Sequence, residues 1–401
     1  MAAVASQPSG SASSSSNAVA STSALPPTAS TTRARYAKLA KVGEGTYASV
    51  FLARDLATNE KLAIKKIKIV SSADGLDMTA LREVQFLREL RHPNVIRLVD
   101  VFSSGSATPS LNLVLEFLDT NLEALIKDRS ILFRPEDIKS WMAMLCRGLE
   151  YTHRNGCLHR DLKPNNLLIA PSGELKIADF GLARGAGEPG QKMSNQVVTR
   201  WYRSPELLLG ARHYGYGVDM WAVGCIFAEL HLRLPYLPGE SDLEQLTVVF
   251  RALGTPTEKE WLKHKSLPHY MNFEQHPKQD LSQLFSAASP DTLDMLAKLL
   301  LYDPMRRLSA HGCLHHAYFR TAPSPTPFAD LPRHAAAVPA GHVLLSDSET
   351  KDSRRRAGAV SGGLAGEGEA AEEKTRPKKR ALDEKERDEQ RRRIARKLAF
   401  E

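Results

Sequence analysis

Two short strings near the middle of the chain combine carboxylates, an amide and a lysine at close spacing. They are His159-Arg160-Asp161-Leu162-Lys163-Pro164-Asn165-Asn166 and, thirteen residues further on, Asp179-Phe180-Gly181. Phosphoryl transfer needs a carboxylate near the acceptor hydroxyl and oxygen ligands for a magnesium ion that bridges the β- and γ-phosphates. Asp161 fits the first role, and Asn166 and Asp179 fit the second. Lys163 can neutralise the charge on the transferring phosphate.

A glycine-rich stretch upstream supplies a candidate phosphate-binding loop. It reads Gly43-Glu44-Gly45-Thr46-Tyr47-Ala48-Ser49-Val50, with Ala48 where a third glycine is usual. Glycines let backbone amides approach phosphate oxygens without a Cβ clash. Lys65 follows on the next predicted strand, and Glu83 on a predicted helix is its natural ion-pair partner. Taken singly these features are weak, because glycine-rich hairpins are usually turns and lone charges are usually solvated.

The elements around these residues predict an α+β domain of two unequal lobes. β-rich runs over 36–42, 48–54, 61–70, 95–102 and 111–117 surround an amphipathic run over about 76–90. From 135 onward the apolar pattern is helical. We therefore expect a small β-rich N-lobe with one helix over 36–117 and a large helical C-lobe over 120–320. The cleft between them falls near 116–121.

Both ends of the chain differ in composition from this body. Residues 1–32 are rich in Ser, Ala and Thr and predict a disordered tail. Residues 321–401 predict a largely disordered basic tail, with a terminal helix over 381–400 where opposite charges recur at i,i+4.

Together, these motifs resemble the eukaryotic protein-kinase family over about 36–320. The resemblance implies the bilobal kinase fold, ATP and Mg²⁺ as cofactors, and catalytic roles for Asp161, Lys163, Asn166, Lys65 and Glu83, with Asn166 and Asp179 as metal ligands. It implies ATP contacts from Val42, Gly43, Glu44, Gly45, Thr46, Val50, Ala63, Lys65, Glu116 and Leu118. Asp219 resembles the residue that braces the catalytic loop, and Glu206 and Arg307 resemble a buried ion pair of the large lobe. Lys163 marks the serine/threonine branch.

Within the family, the chain resembles the cyclin-dependent group. The helix motif Thr79–Glu83 and the segment Val197–Glu206 carry this resemblance. The combination of Thr79–Glu83, Ala48, Asn195–Arg200 and Leu253–Thr257 is most similar to the kinase of general transcription factor IIH. That resemblance implies a proline-directed kinase with an H-type cyclin partner, a RING-finger assembly factor and further transcription factor IIH subunits. The implied substrate is the C-terminal heptad repeat of RNA polymerase II. Ser324-Pro325-Thr326-Pro327 also suits this subfamily.

The resemblance also predicts regulatory sites. Ser194 stands where the family carries an activating phosphothreonine, and Arg82, Arg160 and Arg184 match positions that converge on the phosphate. Three guanidinium groups brought together without an anion would repel one another, which supports a phosphate there. Thr46 and Tyr47 form a phosphorylatable pair in the glycine-rich loop and are predicted inhibitory phosphosites.

Bulk composition limits the other classes of function. The net charge is +8, but residues 374–397 hold 12 Lys/Arg against 5 Asp/Glu, so the body gives no reason to expect direct nucleic-acid binding. The basic run 376–380 suggests nuclear import. The longest apolar run, 221–230, is too short to span a bilayer and predicts a buried helix, so no membrane partner is expected. Four widely spaced cysteines argue against a zinc site or a disulfide framework.

Two alternative functions stay open at this point. A pseudokinase scaffold would lack a key lysine or aspartate, whereas Lys65, Asp161, Asn166 and Asp179 are all present. A cell-cycle or other cyclin-dependent kinase would have the same chemistry with different partners and substrates.

Overall fold

The computed structural model of the chain describes residues 35–44, 48–68, 78–104, 110–186, 192–195 and 197–333. The predicted residues Gly45, Thr46 and Tyr47 lie outside these ranges. So do the tail 1–32 and the terminal helix expected over 381–400.

A five-stranded antiparallel sheet forms the N-lobe, in the order β1-β2-β3-β5-β4. Its strands are β1 (Tyr36–Glu44), β2 (Ala48–Asp55), β3 (Lys61–Lys68), β4 (Leu98–Ser104) and β5 (Ser110–Glu116), and helix α1 (Met78–Glu89) lies between β3 and β4 in sequence. In β3, Leu62 and Ile64 are buried in one apolar cluster, while Ala63 and Ile67 are buried in another. Because side chains alternate along a strand, Lys65 shares the second face, which is the face toward the C-lobe.

The C-lobe is mainly helical, as the sequence predicts. Its helices are α2 (Leu122–Lys127), α3 (Pro135–Arg154), α4 (Pro205–Leu208), α5 (Gly217–Leu232), α6 (Asp242–Leu253), α7 (Leu281–Leu284), α8 (Pro290–Leu299) and α9 (Ala310–Leu314). Short strands carry the loops between them: β6 (Thr120–Asn121), β7 (Cys157–Leu158), β8 (Leu167–Ile169), β9 (Leu175–Ile177) and β10 (Arg184–Gly185).

Helix α5 forms the centre of the C-lobe. Every residue from Val218 to Leu230 is buried, which accounts for the apolar run seen in the sequence. A helix that is apolar on all sides must be surrounded by protein or by lipid. Here α3, α8 and the segment before α4 pack against it. In the described part of the chain, no helix is both long and apolar enough to cross a membrane.

A buried ion pair connects α4 to the segment before α9. Arg307 Nη1 and Nη2 donate to Glu206 Oε1 and Oε2 at 2.6 and 2.7 Å. The guanidinium also donates to the carbonyls of Leu301, Tyr302 and Gly217. Every donor direction of Arg307 is thus used, so the charge is stable without water.

The chain beyond residue 320, which the sequence assigns to a tail, continues over the C-lobe as far as Arg333. We call residues 321–333 the C-terminal strap. Lys139 Nζ, on α3, donates to the carbonyls of Thr321 and Pro323, both at 2.8 Å. At the far end, Arg333 donates to the carbonyls of Pro171 and Ser172 in the β8–β9 turn. A polar, proline-rich composition concealed these contacts, because they join residues more than 150 positions apart.

Arg307→Ala should destabilise the protein by about 3–5 kcal/mol, because it leaves the buried Glu206 carboxylate without its partner. The neighbouring Arg306 is exposed, so Arg306→Ala is a matched control expected to change stability by less than about 0.5 kcal/mol. Urea unfolding of the two variants measures the difference. Equal midpoints would show that the ion pair contributes nothing to the C-lobe.

Candidate active site

The cleft between the lobes has apolar walls and polar ends. Its apolar lining includes Val50, Ala63, Leu115, Leu118, Leu168 and Ala178. Its polar lining includes Lys65, Glu83, Glu116, Asn166 and Asp179. Such a cavity suits a ligand with a flat apolar part and a charged part.

Of the residues predicted to contact ATP, the structure places Val50, Ala63, Lys65, Glu116 and Leu118 in this cleft. Val42, Gly43 and Glu44 lie on β1, which pairs with β2, the strand that carries Val50. Glu116 Oε1 accepts from the amide of Arg97 at 2.7 Å, and Oε2 lies 3.0 Å from Lys176 Nζ.

One lysine joins the two lobes at the polar end of the cleft. Lys65 Nζ lies 2.7 Å from Glu83 Oε1 on α1 and 2.8 Å from Asp179 Oδ1 in the C-lobe. Burial disfavours the charged ammonium, but the carboxylates of Asp179 and Glu83 outweigh it and raise the pKa of Lys65. Burial also opposes ionisation of Asp179, yet Lys65 lowers the pKa of that carboxyl to about 2. At neutral pH the site therefore holds a lysine cation and an Asp179 carboxylate.

Asp179 occupies an unusual backbone position. Its φ of 61° is in the left-handed region, and a 3₁₀ turn over Phe180–Leu182 follows it. Phe180 is fully buried and packs edge-on against His159, with ring centroids 4.8 Å apart. His159 Nε2 in turn lies 3.0 Å from the carbonyl of Ala178. This packing holds the carboxylate of Asp179 toward the cleft, where it is still a third exposed.

The string around Asp161 forms a compact polar group. Asp161 Oδ2 accepts from Asn166 Nδ2 at 3.0 Å and lies 3.0 Å from Lys163 Nζ. Its Oδ1 accepts from Thr199 Oγ1 at 3.1 Å, and Thr199 Oγ1 also accepts from Lys163 Nζ at 2.9 Å. The structure therefore brings the predicted residues together and adds Thr199, which the sequence analysis did not assign to the site.

Asn166 and Asp179 are positioned to offer oxygen to a metal. The amide of Asn166 donates to the carbonyl and carboxylate of Asp161, so its own Oδ1 is left as an acceptor. A backbone hydrogen bond from Ala178 N to Asn166 O, 2.9 Å long, brings Asn166 close to Asp179, the residue after Ala178. Within the described ranges, no cluster of three or more His, Cys, Asp and Glu side chains suits a metal. Two oxygen donors fit Mg²⁺, which takes its other ligands from phosphates and water.

Asp219 fixes the loop that carries Asp161. Its carboxylate accepts from the amides of His159 and Arg160 at 2.9 and 2.8 Å and lies 2.9 Å from His153 Nε2. Burial opposes ionisation of Asp219, but these donors lower its pKa below the ordinary value. The amide contact holds Arg160 at a φ of 63°, a strained position for a residue with a Cβ.

In the segment from Val197 to Arg203, Val198 is also in the left-handed region, with a φ of 68°. Arg203 Nε donates to the carbonyls of Val197 and Val198 at 2.9 and 3.2 Å, and its Nη2 donates to Val198 O at 2.9 Å. Arg203 Nη1 lies 3.0 Å from Asp242 Oδ1 on α6. A single guanidinium thus occupies the backbone acceptors next to Thr199, whose hydroxyl donates to Asp161.

The predicted phosphosite Ser194 is exposed, and the three predicted arginines lie on three separate parts of the chain. Arg160 reaches it through a residue that the sequence did not identify: Arg160 Nη1 donates to Tyr214 Oη at 3.0 Å, and Tyr214 donates to the carbonyl of Ser194 at 2.5 Å. Arg82 lies on α1 and Arg184 on β10. Within the described part of the chain, neither of these two forms a hydrogen bond to Ser194.

Beneath the same segment lies a buried carboxyl that sequence patterns do not reveal. Glu229 on α5 accepts from Tyr202 Oη at 2.7 Å and is 3% exposed. Burial raises its pKa to about 7, and the nearby charge of Glu123 adds to the effect.

Comparison with known proteins agrees with this geometry. The family model "Protein kinase domain" matches residues 36–319. The serine/threonine-protein kinase crk1 of Schizosaccharomyces pombe is 56% identical over 77% of this chain and 91% of its own length. Cyclin-dependent kinase 7 of Xenopus laevis is 52% identical over 76% of this chain and 87% of its own length. A solved structure of the CAK complex from Chaetomium thermophilum bound to ATP-γ-S is similar with a TM-score of 0.72 and 46% identity, over 76% of this chain and 97% of that one.

The chain belongs to the protein kinase family, in the cyclin-dependent kinase group. The predicted α+β fold with a β-rich N-lobe and a helical C-lobe is confirmed, and so is the resemblance to cyclin-dependent kinase 7. The protein is a cyclin-dependent serine/threonine protein kinase that uses ATP and Mg²⁺. As a member of that group, the protein has a cyclin partner.

Glu229→Gln should stabilise the protein at high pH. The folded state binds the Glu229 proton more tightly than the unfolded state, whose pKa is near the ordinary 4.5. The wild type therefore loses stability as the pH rises from about 4.5 to about 7, whereas the variant, which does not titrate, keeps it. The difference should reach the order of 3 kcal/mol. Urea unfolding at pH 5 and pH 8 measures it, and an equal offset at both values would contradict the assignment.

Proposed function

We propose that this kinase is the catalytic subunit of general transcription factor IIH and phosphorylates serines that precede proline in the C-terminal heptad repeats of RNA polymerase II. One observation carries the proposal: Arg203 donates hydrogen bonds to the carbonyls of Val197 and Val198, beside Asp161 and Thr199. The similarity to cyclin-dependent kinase 7 supports the same conclusion.

We assign the chemical steps to the polar group of the cleft. Asp161 accepts the proton of the substrate hydroxyl, and Lys163, 3.0 Å from it, compensates the charge on the moving phosphoryl group. Asn166 and Asp179 would hold magnesium, which would neutralise negative charge on the phosphates of ATP. Lys65, kept cationic by Glu83 and Asp179, binds the α- and β-phosphates. Fixed charges of this kind act without reorganising during the reaction.

ATP binding uses the other predicted residues. Val42, Val50, Ala63 and Leu118 enclose the apolar base, and we propose that Gly43, Glu44, Gly45 and Thr46 bind the phosphates. The carboxylate of Glu116 already binds Arg97 N and Lys176. We therefore propose that Glu116 contributes to ATP binding through its backbone, in the segment that joins the two lobes.

Selection of proline follows from the backbone acceptors near Val198. A residue other than proline brings an amide N–H that must find an acceptor when it is buried. Arg203 already occupies the Val198 carbonyl with two donors. Proline has no N–H and loses nothing at this position. The substrate residue after the phosphorylated serine is therefore proline.

Heptad peptides with Ser-Pro should be phosphorylated at least about tenfold faster than the same peptides with Ser-Ala, the ratio that one unsatisfied buried N–H produces. Arg203→Met frees the Val198 carbonyl and should reduce this preference. Arg200→Met is the matched control, because Arg200 also bonds to Asp242 but to neither valine carbonyl. Equal rates for Ser-Pro and Ser-Ala in the wild-type enzyme would refute the proposal.

The partners proposed are those of a transcription factor IIH kinase: an H-type cyclin, a RING-finger assembly factor and the remaining subunits of that complex. The structure has α1 in the inward position that the pair of Lys65 and Glu83 requires. We propose that the cyclin binds α1 and holds it there. The basic run 376–380 supports a nuclear location.

We further propose that Ser194 is the activating phosphosite. It is exposed, and its carbonyl connects through Tyr214 to Arg160, the residue before Asp161. A phosphate on Ser194 adds charge that Arg82, Arg160 and Arg184 can share, and this orders the segment that leads to Val198. Thr46 and Tyr47 are proposed as inhibitory sites in the glycine-rich loop.

Ser194→Ala should lower the turnover of heptad peptides, or loosen the partner complex. Arg184→Ala should remove most of the gain that phosphorylation brings, because one of the three cations is lost. The assay is run with and without the RING-finger partner, so that any replacement of the phosphate by that partner is detected. Unmodified Ser194 in the active complex, together with a Ser194→Ala variant indistinguishable in both settings, would show an ordinary loop serine.

A further inference from the structure

Two hydroxyl side chains of the C-terminal strap each precede a proline: Ser324 before Pro325, and Thr326 before Pro327. Their local sequences are nearly the same, but the structure gives them opposite surroundings. Ser324 is exposed, whereas Thr326 is only 7% exposed. A kinase specific for proline at the next position would read both as substrates from sequence alone.

The hydroxyl, the amide and the carbonyl of Thr326 all form hydrogen bonds to the first residues of α3. Its hydroxyl donates to Asp137 Oδ1 at 2.7 Å, and its amide donates to the carbonyl of Glu136 at 3.2 Å. Its carbonyl accepts from the hydroxyl of Ser140. A phosphate on Thr326 would break these contacts and lie against the carboxylate of Asp137. The strap must open before this hydroxyl can react.

Ser324 lies between the two points at which α3 holds the strap. On one side, Lys139 binds the carbonyls of Thr321 and Pro323, and on the other side Thr326 is fixed as described. From Ser324 to Pro327 the backbone has no helix or strand, and both Ser324 and Pro325 are exposed. The hydroxyl and the proline that follows it are therefore open to an enzyme while the strap stays bound.

We propose that Ser324 is a phosphorylation site and that a second copy of this kinase modifies it. The proposal rests on the proline-directed specificity proposed above. Ser324 Oγ forms a bond to the γ-phosphorus of ATP held by the second copy, and the bond from that phosphorus to the β,γ-bridging oxygen breaks. ADP leaves with the electron pair, and the hydroxyl proton passes to Asp161 of the second copy.

The reaction is intermolecular because the strap is attached far from its own catalytic loop. It binds the first residues of α3, whereas the catalytic loop follows the last residues of that helix. A helix of 20 residues is about 30 Å long. Arg333 fixes the other end of the strap to the β8–β9 turn. Ser324 cannot cross to the cleft of its own chain without release of these contacts.

The test uses the full chain with Asp161→Asn, labelled with ¹⁵N, as the acceptor. The active wild-type complex, ATP and magnesium are added, and mass spectrometry maps the phosphate on the heavy chain. We expect phosphate on Ser324 and at least about tenfold less on Thr326, since that hydroxyl reacts only after local opening. The acceptor with Ser324→Ala as well should stay unmodified in the strap.

Two further arms make the outcome decisive. Asp137→Asn in the acceptor removes the carboxylate partner of Thr326 and should raise its modification while leaving that of Ser324 unchanged. A free peptide of residues 319–330 should be phosphorylated at both positions. If the peptide reacts and Ser324 of the folded chain does not, the inference is overturned and the proposed specificity stands. If the peptide itself does not react, the specificity fails, and this site fails with it.

Discussion

The contact of one buried lysine with carboxylates from two lobes is the constraint on which the active site depends. Lys65 comes from β3 of the N-lobe sheet, Glu83 from α1 and Asp179 from the turn after β9. A cation taken out of water is stable only if its partners lie at hydrogen-bonding distance. The three elements must therefore lie in one arrangement for the charges to be satisfied. That arrangement is also the one that brings Lys65 and Asp179 together with Asn166 in the lining of the cleft.

The C-lobe supplies a rigid support for the other half of this arrangement. Asp219 sits on α5, whose residues are buried on every side, and binds two successive amides of the catalytic loop. The strained backbone at Arg160 persists because these bonds compensate it. Asp161, one residue further, then has a fixed position. The same helix binds Tyr202 through Glu229, so one buried element positions both the loop that carries Asp161 and the segment that contains Val198.

Sequence predicted the parts of the site that depend on short motifs. Asp161, Lys163 and Asn166 come from one string, and a string of this kind has few alternative functions. Lys65 lies on the predicted strand after the glycine-rich loop and Glu83 on the predicted helix that follows, so the two could be paired. Other contacts have no local pattern. Tyr214 connects Arg160 to Ser194, and Arg203 donates to the Val198 carbonyl, only because the folded chain brings these residues together.

The C-terminal strap shows that composition, like short motifs, does not predict contacts that form only in the folded chain. Residues 321–333 are polar and rich in proline, which is typical of a disordered tail. Their order comes from partners on α3, such as Asp137 and Lys139, that lie more than 180 positions earlier. Composition reports how much apolar surface a segment can bury. It does not report a set of fixed donors and acceptors that the rest of the fold presents to it.

A double-mutant cycle on Lys65 and Glu83 tests the central claim most directly. The kcat/KM for ATP is measured in the active complex for the wild type, Lys65→Met, Glu83→Gln and the double variant, with circular dichroism as the control for folding. If Glu83 acts by holding Lys65, each single change lowers kcat/KM by about 100-fold or more, and the double variant is no worse than Lys65→Met. Losses that multiply in the double variant would show that the two residues act independently, and would contradict the dependence of the active site on their contact.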